Sequence, residues 1–185
     1  MEQLQTILAM LTTAALADLG PGPRTGVLPQ PELAARLDQQ FARTSLSTTN
    51  RQLARALVLL WHDHLDTAHT IAQGIGNSDG SYVHAMMHRR EPDYWNSKYW
   101  WRRVGPHPCF PRLAGRVTEF LKGRGEAELL AKLVPGGKWD AAAFVDACET
   151  AAALPASDKR PALLREVQRL EFETLLTHFL EAKPR

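Results

Sequence analysis

Through the window 51–73 the apolar residues Leu57, Leu60, Trp61, Leu65, Ala68, Ile71 and Ala72 recur in steps of three and four, the spacing of one helix face. The same period returns near the C-terminus, where Leu163, Leu164, Val167, Leu170, Leu175 and Leu176 make a stripe. No alternating apolar–polar run marks a strand, and no internal repeat occurs. The chain is therefore expected to be all-α. The expected architecture is a single-domain bundle of about six to eight helices over residues 1–185, with its functional core at about 51–110.

Helix breakers divide the pattern. A first amphipathic helix is expected over 3–18, stopped by Gly20-Pro21-Gly22-Pro23, and a short second one from Pro31 to Phe41. The polar run 45–50 supplies caps for one long helix over 51–73. The turn Gly74 to Gly80 leads into a helix over 81–90, broken by Glu91-Pro92. Asp93 then caps a short aromatic helix ending at Gly105-Pro106, and further helices are expected over 112–122, 139–154 and 160–182. Ser157 or Asp158 is the cap candidate for the last.

Composition excludes several classes. A net charge of +2 over 185 residues is too small for an extended nucleic-acid footprint. Two cysteines, without a paired spacing, make neither a disulfide framework nor a thiolate metal site. The apolar stretch 7–19 follows Glu2 rather than a basic residue, which argues against an export signal, and no stretch reaches membrane-spanning length; the expected address is the cytoplasm. No dinucleotide fingerprint, phosphate loop or nucleophile elbow is present, so no nucleotide cofactor is expected.

Five of the seven histidines, His62, His64, His69, His84 and His88, fall in a short span. On a 51–73 helix, His62, Asp66 and His69 share one edge at i, i+4, i+7, bordering the apolar face, whereas His64 points into that face and needs a hydrogen-bond partner there. His84, His88 and Glu91 repeat the spacing on the next helix. In an antiparallel hairpin, residues equidistant from the turn face one another: His69 with His84, Asp66 with His88, His62 with Glu91. Three readings follow. The strips hold a divalent metal (zinc, iron, nickel or manganese) through His69, His84 and His88, with His62 as a further candidate; they form a metal-free polar active site; or they form a hydrogen-bonded helix interface.

The segment 88–103 holds three of the five tryptophans, two of the three tyrosines and five cations. Arginine recognises carboxylate or phosphate in bidentate fashion, and aromatics stack on rings. Arg89, Lys98, Tyr99 and Arg102 are the candidates for binding a small polar or anionic substrate. A nucleic acid would use the same residues as a stacking and phosphate-tracking surface, but Glu91 and Asp93 interrupt the charge; in a third reading the aromatics form core and the arginines pair with acids.

The stretch from Gly80 to Pro108, with Ser81-Tyr82-Val83-His84, Met87 to Tyr94, Asn96, Lys98-Tyr99-Trp100 and Arg102 to Gly105, resembles the signature of an uncharacterised bacterial and fungal family of helical proteins. Asp66 and His69 upstream fit the same pattern. The resemblance implies that the region acts as one unit, and it brings no activity with it.

The functional expectation is a metal-assisted or histidine/carboxylate acid–base enzyme, a hydrolase, lyase or isomerase, acting on a small polar or anionic substrate. Glu91 and Asp66 are the proton-transferring carboxylates, and His69, His84 and His88 hold a single divalent ion. The alternative is a non-catalytic module that binds a small ligand or a partner through 89–103, with nucleic acid ranked lower. Cys109, two residues from His107, is a lesser candidate nucleophile, and His178 is expected at the surface or in packing.

Overall fold

A computed structural model describes residues 2–155 and 157–182. Among the described residues there is no strand; ten α-helices and one 3-10 turn follow one another. The all-α expectation holds, and the count exceeds six to eight because a helix was missed and another is split. The helices are α1 (Glu2–Ala9), α2 (Gln30–Phe41), α3 (Thr48–Trp61), α4 (Leu65–Gln73), α5 (Ser78–Arg90), α6 (Tyr94–Val104), α7 (Phe110–Lys122), α8 (Ala127–Leu133), α9 (Ala141–Ala152) and α10 (Arg160–Glu181). The missed element is α8. No helix is long and apolar enough to cross a membrane among the described residues.

Side-chain caps start the helices that surround the histidines. Ser47 accepts the Asn50 N–H at 3.1 Å at the head of α3, and Asn77 accepts the Gly80 N–H at 2.8 Å at the head of α5. Asp93 accepts the Asn96 N–H at 3.2 Å to open α6, as its place before the aromatic run implies. Gly105, at φ +62°, closes α6 in a left-handed conformation that a side chain resists.

Helix α5 runs through the middle of the molecule, and every residue from Gly80 to Arg90 is buried. It lies against α4, α6 and α3, and α10 packs on α3. There the Trp61 ring meets Phe172 of α10 edge-on at 5.1 Å. The buried apolar side chains form one continuous cluster. The turn between α4 and α5 is tight: a Cβ on Gly80 would lie 2.0 Å from the Ile75 carbonyl oxygen, so only glycine fits.

Two expected helices are corrected. The first ends at Ala9 instead of running to residue 18. Its downstream carbonyls are taken by side chains from the core: Met10 faces His62 Nε2 at 2.9 Å, Gln168 donates to Ala17 and Asp18 at 3.0 Å each, and Arg90 Nε donates to Asp18 at 3.0 Å. Those long-range bonds replace helical ones and hold 10–18 as a turn followed by irregular chain anchored to the core.

The 51–73 helix is likewise two, α3 and α4, broken at His62-Asp63-His64. Asp63 adopts φ +67°, a region costly for most side chains and less so for Asp. Its buried carboxylate takes Arg24 Nη1 at 2.5 Å and Arg90 Nη2 at 2.6 Å. Gly22 leaves the room for this, since a Cβ there would come within 2.7 Å of that carboxylate. The ion pairs balance the strained backbone, so the kink is set by partners far away in sequence.

Candidate functional site

The kink turns α4 alongside α5 and brings three imidazoles together. The rings of His69 and His84 meet edge-on with centroids 4.5 Å apart, and His69 meets His88 at 5.4 Å. His84 and His88, one turn apart on α5, stack at 4.8 Å. One nitrogen from each of the three lies within 4.8 Å of the others. The expected pairing of His69 with His84 is present, and the metal-ligand triad of the sequence reading converges as a unit.

Each ring has a distinct environment. Nδ1 of His88 lies 2.9 Å from Oε2 of Glu91; a carboxylate only accepts, so Nδ1 carries the proton and Nε2 presents a lone pair. The Asn96 amide nitrogen is 3.1 Å from Nε2 and 3.4 Å from Nδ1 of that ring. With Nδ1 protonated, the amide at 3.1 Å can donate to Nε2, a contact that a ligand at that nitrogen would displace. Nδ1 of His84 is buried without a hydrogen-bond partner, an arrangement that folded proteins avoid. Burial, and then the neighbouring His69 and His88, push the His84 pKa down to about 3. Burial also lowers His88, against the opposing pull of Glu91. Both rings are therefore neutral near pH 7, the form that binds metal.

Helix α6 covers the triad. The Trp100 indole stacks on His84 with centroids 3.9 Å apart, and Arg103 lies 5.2 Å above the same indole. Asn96, Trp100 and Arg103 are spaced i, i+4, i+7, so one face of α6 points at the histidines. Sequence reasoning passed over Asn96 and Trp100, although that spacing was available to find them. On the neighbouring strip Trp95 stands 75% exposed and Tyr99 39%. Their rings run nearly parallel at 6.4 Å, and the exposed Arg102 sits 5.9 Å over Tyr99.

Other expected site residues lie elsewhere. His62 is not beside Glu91: it ends α3, accepts the Leu28 N–H at Nδ1 (3.1 Å) and donates from Nε2 to the Met10 carbonyl, so both nitrogens are occupied. His64 is half-buried before α4, donating to the Leu28 carbonyl at 2.8 Å. Asp66 is exposed and is not among the groups whose donor atoms converge, because the kink rotates α4 so that His69 faces both His84 and His88. Arg89, expected to bind substrate, is fully enclosed; it pairs with Glu171 at 2.5 Å and lies 4.3 Å over Phe144. Lys98 bridges to Asp146 and Glu149 of α9. Glu91 is exposed but tied to His88, which makes it an orienting partner first. Cys109 is buried, and burial followed by the charge of Asp79 pushes its thiol up to about 12, so it is no nucleophile in this setting.

No protein-family model, no curated protein and no solved structure matches this chain, so the family resemblance rests on the motif in 80–108 itself.

Proposed function

We propose that this protein is a metal-assisted enzyme whose divalent ion is held by His69, His84 and His88, acting on a small polar or anionic substrate. The observation that carries the reading is the convergence of three imidazoles, two of them held neutral, one of which also has a buried Nδ1 without a hydrogen-bond partner. Tetrahedral ligands about 2.0–2.1 Å from an ion sit roughly 3.3 Å apart, so small ring rotations close the set. Three histidines leave one coordination position for water or substrate, the pattern of catalytic rather than structural sites. Bound there, the ion supplies Lewis acidity and acidifies a water toward neutral pH.

The chain's own groups have defined tasks in this reading. Glu91 holds the proton on Nδ1 of His88, which fixes the tautomer and keeps Nε2 available. Trp100 fixes the plane of His84 and keeps solvent from that side. Arg102 and Arg103, exposed on α6, are the cations able to reach an anionic substrate once Arg89 and Lys98 are accounted for. Asp66, exposed on α4, keeps only an outer role in proton exchange.

Metal analysis of untagged protein purified without chelators tests this directly. His84→Ala and His88→Ala should each lose one equivalent of metal while melting near the parent temperature. Metal-free protein from varied growth media, with both variants melting like the parent, would overturn the metal reading. The exposure of Trp95 favours a second reading, a binding module without turnover. In that case Trp95→Ala and Tyr99→Ala abolish ligand binding, whereas His84→Ala does not.

A further inference from the structure

A second group of donor atoms converges at the other end of α5. Asp79 lies in the first turn of that helix, His107 and Cys109 sit in the corner before α7, and His178 is near the end of α10. One donor atom each from His107, Cys109 and His178 lies within 4.8 Å of the others. His107 and Cys109 are buried, and His178 is half-buried.

Asp79 organises both rings. Its Oδ1 accepts from His107 Nε2 at 2.9 Å, and His178 Nε2 lies 3.3 Å from the same oxygen. Burial works to raise the Asp79 carboxyl, but the hydrogen bonds from the two histidines outweigh it and hold it below the usual carboxylate range. With Nε2 of both rings turned to a carboxylate, Nδ1 is the lone-pair nitrogen, the outer-shell arrangement that fixes metal-ligating histidines. The cluster's bonds leave out the Cys109 thiol and Nδ1 of His178; Nδ1 of His107 accepts the Cys109 N–H at 3.2 Å. A cavity of about 200 Å³ lies beside the cluster, lined by Cys109 and His178 together with Thr174 and Arg112.

We infer that His107, Cys109 and His178 form a second site, for a divalent transition metal of the zinc class, with Asp79 orienting both imidazoles. Two imidazoles and a thiolate are a borderline-soft donor set, suited to zinc and cobalt rather than magnesium or calcium. Binding replaces the thiol proton by the S–metal bond and releases that proton to solvent. It also forfeits the Cys109 N–H contact to His107, a small cost beside the formation of a metal–thiolate bond. The ion then fastens three segments distant in sequence: the head of α5, the corner before α7 and the end of α10. The neighbouring cavity would leave room for water as a fourth ligand.

Cobalt distinguishes this site from the all-imidazole one, because only a thiolate ligand gives a sulfur-to-cobalt charge-transfer band in the near ultraviolet. Full-length protein, stripped by chelator and kept reduced with a phosphine, is titrated with Co²⁺. The band is expected to saturate within two equivalents in the parent, which also offers the all-imidazole site, and at one equivalent in His84→Ala. It should vanish in Cys109→Ser, persist in Cys148→Ser and His84→Ala, and require at least tenfold more cobalt in His178→Gln. Absence of the band in the parent at excess cobalt, or its survival in Cys109→Ser, overturns the site. If Cys109→Ser fails to fold by circular dichroism, His178→Gln decides: an unshifted titration overturns the proposal and a shifted one upholds it. Cobalt bound without the band would retain the His69/His84/His88 site and reject this one.

Discussion

Arg89 and Glu171 form an ion pair with neither side chain exposed, Nη2 to Oε2 at 2.5 Å, between the central helix α5 and α10. Gln168 adds an acceptor at 3.4 Å, and Phe144 packs against the guanidinium. Removing one member strands a charge in the core. Arg89→Ala or Glu171→Ala should therefore cost about 3–5 kcal/mol, whereas the apolar double variant Arg89→Met/Glu171→Leu should recover most of the loss. Urea unfolding of the three proteins checks this; single variants within 1 kcal/mol of the parent, by about the scale of an exposed pair, would contradict it.

Glu91 is half-exposed, and its contact with the triad is through Nδ1 of His88. Glu91→Gln should leave stability nearly unchanged but weaken zinc binding about 10- to 100-fold, the usual effect of losing a carboxylate behind a ligating histidine. Competition with a chromophoric chelator measures it. An unaltered affinity would show that Glu91 does not act through His88.

His62, His84 and His88 all have pKa values lowered by burial. Each takes up a proton in the unfolded chain near pH 6.5 before it does so in the folded one. The stability of metal-free protein should therefore rise with pH from the folded value, about 3 for His84, up to about 6.5, and level off above it. The slope per histidine is at most about 1.4 kcal/mol per pH unit. His62→Asn should make the slope shallower without affecting metal content, since both His62 nitrogens bond the backbone at Met10 and Leu28. Unfolding curves across pH 5–8 in a chelating buffer give the answer; a slope equal to the parent's would refute a role for His62.

Two glycines give opposite expectations. Gly80→Ala forces a Cβ against the Ile75 carbonyl and should destabilise by about 1–3 kcal/mol or more, with loss of affinity at the triad as α4 shifts from α5. Gly115 is exposed within α7 with nothing near its would-be Cβ, so Gly115→Ala should stabilise by about 0.5–1 kcal/mol. Melting temperatures of the pair separate helix propensity from packing.

Periodicity and local capping carried much of the fold in the sequence. The stripe in α10, the Asp93 cap and the stop at Gly105 depend on neighbours within a turn, and such signals are readable without a structure. The convergence of His69, His84 and His88 was readable too, because a short connection makes antiparallel neighbours of the helices that carry them. The roles of Arg89 and Lys98 were not. An arginine that recognises a substrate and one that neutralises a core glutamate are the same residue until Glu171, 82 positions away, is located.

The sequence alone determined that the chain is helical, where most helices begin and end, and that His69 faces the strip carrying His84 and His88 on the next helix. These rest on backbone propensity and spacing, which act over a few residues. Tertiary structure decided the kink at Asp63, the irregular path of 10–18 and the separation of His62 and Asp66 from the histidine cluster. Each depends on buried charges and carbonyls finding partners across the chain, through Arg24, Arg90 and Gln168. Burying such groups unpaired costs more than local helix propensity returns, so distant partners overrule the local pattern at those points.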